Sequence, residues 1–211
     1  MRAIASFLIC LGLAATLMAC SKPAPAGGGG GTSALPEAMS LGNPQAKVTV
    51  NEFASLGCPI CAKWNNEVFP AFKAKYIDTG KVHYVLHEFL TGDQPVAAAG
   101  FLLARCAGKD KYFQVVDAVF RQEEPLLESD QNGAKRDALV KIAQSLGMTN
   151  DQFNACVSND ASLEALNRRS DAIARKYDIQ STPTFMIGSQ TLVGFQDMAA
   201  MDKAIAQAGG S

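Results

Sequence analysis

The chain reads as an α/β domain in which a block of helices separates two halves of one sheet. Three observations predict it. Lys47–Phe53 and Lys81–Phe89 are runs rich in β-branched and aromatic residues, the pattern of strands. From about residue 92 to 177 the apolar side chains recur at helical spacing. Beyond that block STPTFMIGSQTLVGF reads as a β-hairpin turning at Gly188-Ser189, and a last amphipathic helix carries Met198, Met201 and Ile205. The predicted order is β–α–β, helices, β–β–α.

The elements follow in chain order. Residues 1–19 have one early positive charge, Arg2, and then an apolar run from Ala3 to Ala19, the composition of an export leader and too short for a membrane span. The run ends Leu17-Met18-Ala19-Cys20, which resembles the bacterial lipobox and predicts a lipid on Cys20. Ordinary cleavage after Ala19 is the alternative, against which Leu17 is large for a small-residue site. Residues 20–40 include SKPAPAGGGGGTSALPE, with no apolar period to bury, and read as a tether. About 15 flexible residues would span on the order of 20 Å. The remaining stretch, 41–211, is long enough for one domain with a sizeable core.

Charge excludes one class of function. The chain has 19 Lys and Arg against 20 Asp and Glu, and loss of Arg2 with the leader moves the net from −1 to −2. With no basic cluster, nucleic-acid binding has no electrostatic basis.

The chemistry concentrates in EFASLGCPICAKW, Glu52 to Trp64. Cys58 and Cys61 stand two residues apart, directly after a strand. Ile60, Trp64, Val68, Phe72 and Tyr76 recur every four residues and predict a helix, kinked at Pro70. Pro59 then falls at the first helical position, where its missing N–H costs nothing. Cys58 is thereby expected at the helix cap, exposed, facing free backbone donors and the positive dipole end. Such a setting lowers a thiol's pKa from about 8.5 into the range of roughly 3.5–7.5. A strand–CxxC–helix unit of this kind reads as a site of thiol–disulfide exchange, with Cys58 attacking and Cys61 resolving. The alternatives are a purely structural bridge or a zinc site. Zinc enters because His83 and His87 follow, but they lie inside an apparent strand and far from Cys61 by the spacing of a zinc finger. No metal is expected, and the histidines read as sheet residues.

Helices are expected over Ala97–Ala107, Tyr112–Arg121 and Ala134–Leu146, the last stopped by Gly147. Thr149 with Gln152 forms a capping-box pattern, and Leu163, Leu166, Ile173 and Tyr177 mark the last helix of the block. Cys106 and Cys156 both fall in this block. With Cys10 in the leader, Cys20 assigned to lipid and Cys58 paired with Cys61, they are left to form a second disulfide in an oxidising compartment. Otherwise they are small buried apolar residues. Glu52 lies in a strand expected to be covered on both faces, where a carboxylate needs a partner or a proton; the alternative is that it reaches solvent at the strand's end.

The strand with Glu52-Phe53, the Cys58-Pro59-Ile60-Cys61 site, the helical insert and Thr182-Pro183 before Thr184-Phe185 together resemble the DsbA family within the thioredoxin superfamily, over about residues 41–208. The resemblance implies a thioredoxin-like fold with a helical insertion domain. It implies that Glu52 lies beneath the site and accepts the proton from Cys61. It also implies that Thr182-Pro183 forms the cis-proline loop facing the CxxC and pairs with an extended substrate segment. No cofactor is implied, because the cysteines carry the electrons. Ile60 is a departure, since DsbA-like oxidases often carry histidine there. The stretch before the first strand is too short for the dimerisation domain of isomerase relatives, so a monomer is expected. The resulting expectation is an exported oxidoreductase on the periplasmic side of a bacterial envelope, held to the membrane by lipid. Its partners are expected to be reduced or unfolded exported proteins and a DsbB-like membrane protein. The rival readings are a reductase or isomerase kept reduced by a membrane donor, and a peptide-binding, chaperone-like module without redox function.

Overall fold

The computed structural model describes residues 38–122, 126 and 133–209. The predicted leader, Cys20 with its lipid, and the tether up to residue 37 lie outside the described residues.

Among the described residues one sheet forms in the order β1-β3-β2-β4-β5. Its strands are β1 (Met39–Gly42), β2 (Val48–Ala54), β3 (Val82–Glu88), β4 (Thr184–Ile187) and β5 (Gln190–Val193). β2 and β3 run parallel, and the other three pairings are antiparallel. β2 is central, paired on both edges, and buries Val48, Val50 and Ala54 on one face and Phe53 on the other. The hairpin turns at Gly188-Ser189 as expected, with Gly188 at φ 58°.

β1 departs from the sequence reading. The tether was expected to continue through residue 40, yet Met39 and Ser40 already pair with Leu86 and Val85 of β3. Four residues show no usable period, and it is the edge of β3 that makes them a strand.

α1 (Pro59–Glu67) follows β2, with Pro59 in its first turn and Cys58 at its N-cap in extended conformation. The predicted long helix is broken one turn early. Pro70 cannot donate to the carbonyl of Asn66, so α1 stops at Glu67 and α2 (Phe69–Phe72) starts afresh. A π-helical turn, Lys73–Ile77, then leads back to β3. Trp64 anchors this layer against the sheet, with its ring centroid 4.6 Å from that of Phe185. Ile60 is not part of the buried stripe: it is 44% exposed, and burial starts at Cys61.

Among the described residues the insert contains α3 (Gln94–Cys106), α4 (Lys109–Arg121), α5 (Ala134–Ser145), α6 (Asn150–Val157) and α7 (Asp160–Tyr177). The capping box forms as expected, Thr149 accepting from the Gln152 N–H while the Gln152 side chain accepts from the Thr149 N–H. Gly147 takes φ 85° just past α5. Cys106, at the end of α3, and Cys156, near the end of α6, are joined as a disulfide with Cα atoms 5.9 Å apart. The last helix is α8 (Met198–Gln207).

A buried ion cluster ties the insert to the sheet. Glu88, 2% exposed at the end of β3, accepts from Arg105 of α3 at 2.6 Å, from Tyr112 of α4 at 2.9 Å and from Arg169 of α7 at 3.1 Å. Charges so desolvated are tolerated only when paired and fully hydrogen-bonded. On the α7 face of the sheet Phe53 stacks on His87 at 4.6 Å, and the His87 ring shares a hydrogen bond with the Asn51 side chain. Burial holds the His87 pKa down at about 4. These are packing and hydrogen-bonding contacts within the sheet.

Candidate active site

Both CxxC sulfurs are free thiols, and both cysteines are buried. Cys58 was expected to stand exposed, yet only 8% of it is accessible. What covers it is the Thr182-Pro183 loop, whose peptide bond is cis. The Cys58 thiol donates to the Thr182 carbonyl at 3.4 Å. The helix start supplies the opposite kind of partner, its backbone N–H groups at Ile60 and Cys61.

These donors decide which sulfur ionises. The Cys58 pKa is lowered from 9.0 to about 5, first by the Cys61 thiol hydrogen-bonded to it, then by the Thr182 hydroxyl and the two backbone N–H groups, with burial working the other way. Cys61, wholly buried one turn into α1, is pushed well above the ordinary thiol range by burial and by the Cys58 charge. One thiolate next to one thiol is the resting state of the reduced pair at neutral pH.

Glu52 lies beneath. It is 2% exposed, on the α1 face of β2, and accepts a hydrogen bond from the Tyr84 hydroxyl at 2.5 Å. The β2–β3 register puts Tyr84 opposite Val50, two residues from Glu52 and on the same face. Burial raises the Glu52 pKa to about 8, the Tyr84 hydroxyl working against it and the Cys58 charge with it. Glu52 also acts electrostatically on Cys61. Its side chain therefore does not reach solvent.

A loop that the sequence did not point to holds the third side. Asp93 donates its N–H to the Gly57 carbonyl at 2.9 Å, and Ser55 Oγ donates to the Thr91 carbonyl at 2.8 Å. The approach is so close that a Cβ on Gly57 would meet the Asp93 carbonyl oxygen at 2.2 Å, and one on Gly92 the Gly57 oxygen at 2.0 Å. The Thr91 hydroxyl lies 3.0 Å from the Thr182 hydroxyl. The structure thus brings Cys58, Cys61, Glu52, Thr182 and Pro183 together and adds Tyr84, Ser55 and Thr91. It leaves Cys106 and Cys156 out, in the insert. Tyr84 could have been found by aligning the two strands, because it shares Glu52's face. No sequence pattern marks Thr91.

What the fold and site define is a thioredoxin-fold domain with a helical insertion and a CxxC dithiol capping its first helix. A thioredoxin family profile matches residues 34–207, and the chain belongs to this family. Within it the chain is DsbA-like. A crystal structure of Wolbachia pipientis alpha-DsbA1 superposes with a TM-score of 0.74 at 26% identity, over 82% of this chain and 92% of that one. A Rickettsia bellii protein, provisionally named a protein-disulfide oxidoreductase, is 33% identical over 171 residues, 79% of this chain and 64% of its own length. Disulfide bond formation protein D of Bacillus subtilis is 25% identical over 162 residues, 74% of this chain and 70% of its own. The chain thus spans under two thirds of the Rickettsia relative.

Proposed function

We propose that the protein is a thiol:disulfide oxidoreductase that donates the Cys58–Cys61 disulfide to reduced proteins. The observation that carries this reading is the split between the sulfurs: Cys58 is held as a thiolate with a pKa of about 5 while Cys61 is held as a thiol. A stabilised thiolate favours the reduced pair, and a site that favours its reduced form gives its disulfide away.

In the forward reaction a substrate thiolate attacks Cys58 Sγ of the disulfide form. The Cys58–Cys61 bond breaks, and its electron pair leaves on Cys61. Glu52, protonated at neutral pH because burial raises its pKa to about 8, supplies the proton for that thiolate. A second substrate thiolate then attacks the substrate sulfur of the mixed disulfide and releases Cys58 as its stabilised thiolate. The substrate leaves oxidised by two electrons and the CxxC is left as the dithiol. Backbone of the Thr182-Pro183 loop pairs with the extended substrate segment beside Cys58. Cys106–Cys156 takes no part and serves as a staple of the insert.

The cellular setting belongs to the same reading. The lipobox-like end of the leader supports a lipid on Cys20 and a place on the periplasmic side of a bacterial envelope. There a DsbB-like membrane protein would reoxidise the pair, the domain acting as a monomer. Partition of the mature protein into detergent, lost in Cys20→Ala, is the expected result; a soluble wild-type protein with a free N-terminus excludes the lipid.

Equilibration of Cys58/Cys61 with glutathione tests the direction of electron flow. A potential near about −120 mV is expected of an oxidase, whereas one near about −270 mV identifies a reductase. A pair that never equilibrates identifies a structural CxxC in a peptide-binding module.

A further inference from the structure

The backbone around Thr91 is fixed on all sides. The Leu90 N–H donates to Ser170 Oγ at 3.1 Å, the Thr91 N–H to Ser55 Oγ at 3.4 Å, and the Asp93 N–H to the Gly57 carbonyl at 2.9 Å. What remains adjustable is the hydroxyl proton of Thr91, and the hydroxyl it faces at 3.0 Å is that of Thr182. Either oxygen can be the donor in this pair. A hydroxyl has only one proton to give. If Thr182 donates to Thr91 it has nothing left for the sulfur beside it, and if it donates to the sulfur, Thr91 must be the donor of the pair.

We propose that Thr91 is a positioning residue: its hydroxyl donates to Thr182 when Cys58 is a thiolate, turning the single Thr182 proton onto the sulfur, and accepts from Thr182 when Cys58 carries hydrogen or a disulfide. The hydrogen bond between the two threonines reverses direction with the charge on Cys58. The protonated sulfur has its own acceptor in the Thr182 carbonyl at 3.4 Å, so it does not need the hydroxyl. The thiolate does need it, because an anion accepts only. In the thiolate state the order Thr91 to Thr182 to Cys58 is a chain of two bonds in one direction, and each polarises the other by about 10–30%. In the thiol state Thr182 is half-buried, so water replaces a missing Thr91 acceptor at little cost. Loss of the Thr91 hydroxyl therefore weakens the thiolate more than the thiol. The titratable groups facing Cys58 are Cys61 on α1 and Glu52 on β2. The inference rests on Cys58 as the ionised sulfur and on Thr182 as one of its donors.

The test is an ultraviolet thiolate titration of wild type, Thr91→Val, Thr91→Ser, Thr182→Val and the double valine variant. Thr91→Val is expected to raise the Cys58 pKa by about half a unit, which is roughly threefold less thiolate on the acid side of the curve. Thr91→Ser keeps the hydroxyl and is expected to titrate as wild type. In the Thr182→Val background, Thr91→Val is expected to change nothing further, because the donor it steers is gone. A shift that persists in that background means Thr91 acts through packing, and overturns the proposal; so does an unchanged or lowered pKa in Thr91→Val. If Thr182→Val itself leaves the pKa alone, the donor role of Thr182 falls and the proposal falls with it. If Thr182→Val raises the pKa while Thr91→Val does not, the site reading stands and only the steering is lost. Thermal melts report whether each variant is folded, and Thr91→Ala serves as the second hydroxyl deletion should the valine variant not fold.

Discussion

Cys58 and Thr182 are separated by 124 residues of chain and meet at 3.4 Å, thiol to carbonyl. The sulfur thus has an acceptor for its proton on one residue and, in the hydroxyl of the same residue, a donor for its charge.

Thr182→Val keeps the carbonyl and the shape and removes the hydroxyl. A hydrogen bond to a charged group is worth roughly 1.5–3 kcal/mol, so the Cys58 pKa is expected to rise from about 5 by about one to two units. The pair becomes less oxidising by about 30 mV for each 1.4 kcal/mol. Alkylation rate of Cys58 against pH checks the first figure, and equilibration with glutathione the second.

Glu52 carries a cost that depends on pH. Its pKa is 4.5 when unfolded and about 8 when folded, so the folded protein holds an extra proton between those values. The stability associated with that proton is fully present below pH 4.5 and is lost as pH rises through 8. Glu52→Gln removes the dependence. The variant is expected to be more stable than wild type at pH 7 by up to about 3 kcal/mol, less what the Tyr84 hydrogen bond contributed, and no more stable at pH 4. Denaturant midpoints at the two pH values read this out. In the exchange reaction the same variant is expected to slow the step that protonates or deprotonates Cys61 while sparing the first attack on Cys58. Equal rates for both steps in mutant and wild type would show that Glu52 handles no proton.

The two oxidation states are expected to respond differently to pH. Cys58 titrates only in the dithiol, with a folded pKa of about 5 against 9.0 unfolded. A depressed pKa contributes stability that is fully present above 9 and disappears as pH falls through 5. Glu52 acts in the opposite direction in both states. The stability of the reduced protein relative to the oxidised one is therefore expected to grow between pH 5 and pH 8. Paired denaturation curves at those values test it, and a gap that shrinks would mean Cys58 is not the ionised sulfur.

Cys106–Cys156 closes a loop of 50 residues within the insert, away from the CxxC. In the chain-entropy model such a closure contributes on the order of 4 kcal/mol. The double alanine variant is expected to melt lower and to keep both the Cys58 pKa and the exchange rate of the wild type. A changed Cys58 pKa would connect the two disulfide sites.

Local pattern was enough for much of this protein. Pro59 after Cys58 places the sulfur at a helix cap, because only a first-turn position accepts a residue without an N–H. Period-two and helical runs mark β2, β3, the hairpin and the helices of the insert, because those periods reflect which face each segment buries. Glu52 stood out for the same reason, a carboxylate in a strand with two covered faces. The rest depends on pairings that no segment encodes alone. β1 is a strand only because β3 offers it an edge, and Cys58 is covered only because a loop 124 residues later folds over it. Tyr84 reaches Glu52 through the register of two strands, and Thr91 reaches Thr182 because two glycines let the β3–α3 loop close against Gly57. The sequence by itself determined which sulfur could ionise and on what fold. The tertiary structure decided which oxygens surround that sulfur and its buried acid, because hydrogen bonds across such distances depend on contacts between segments, and residue order alone does not specify those.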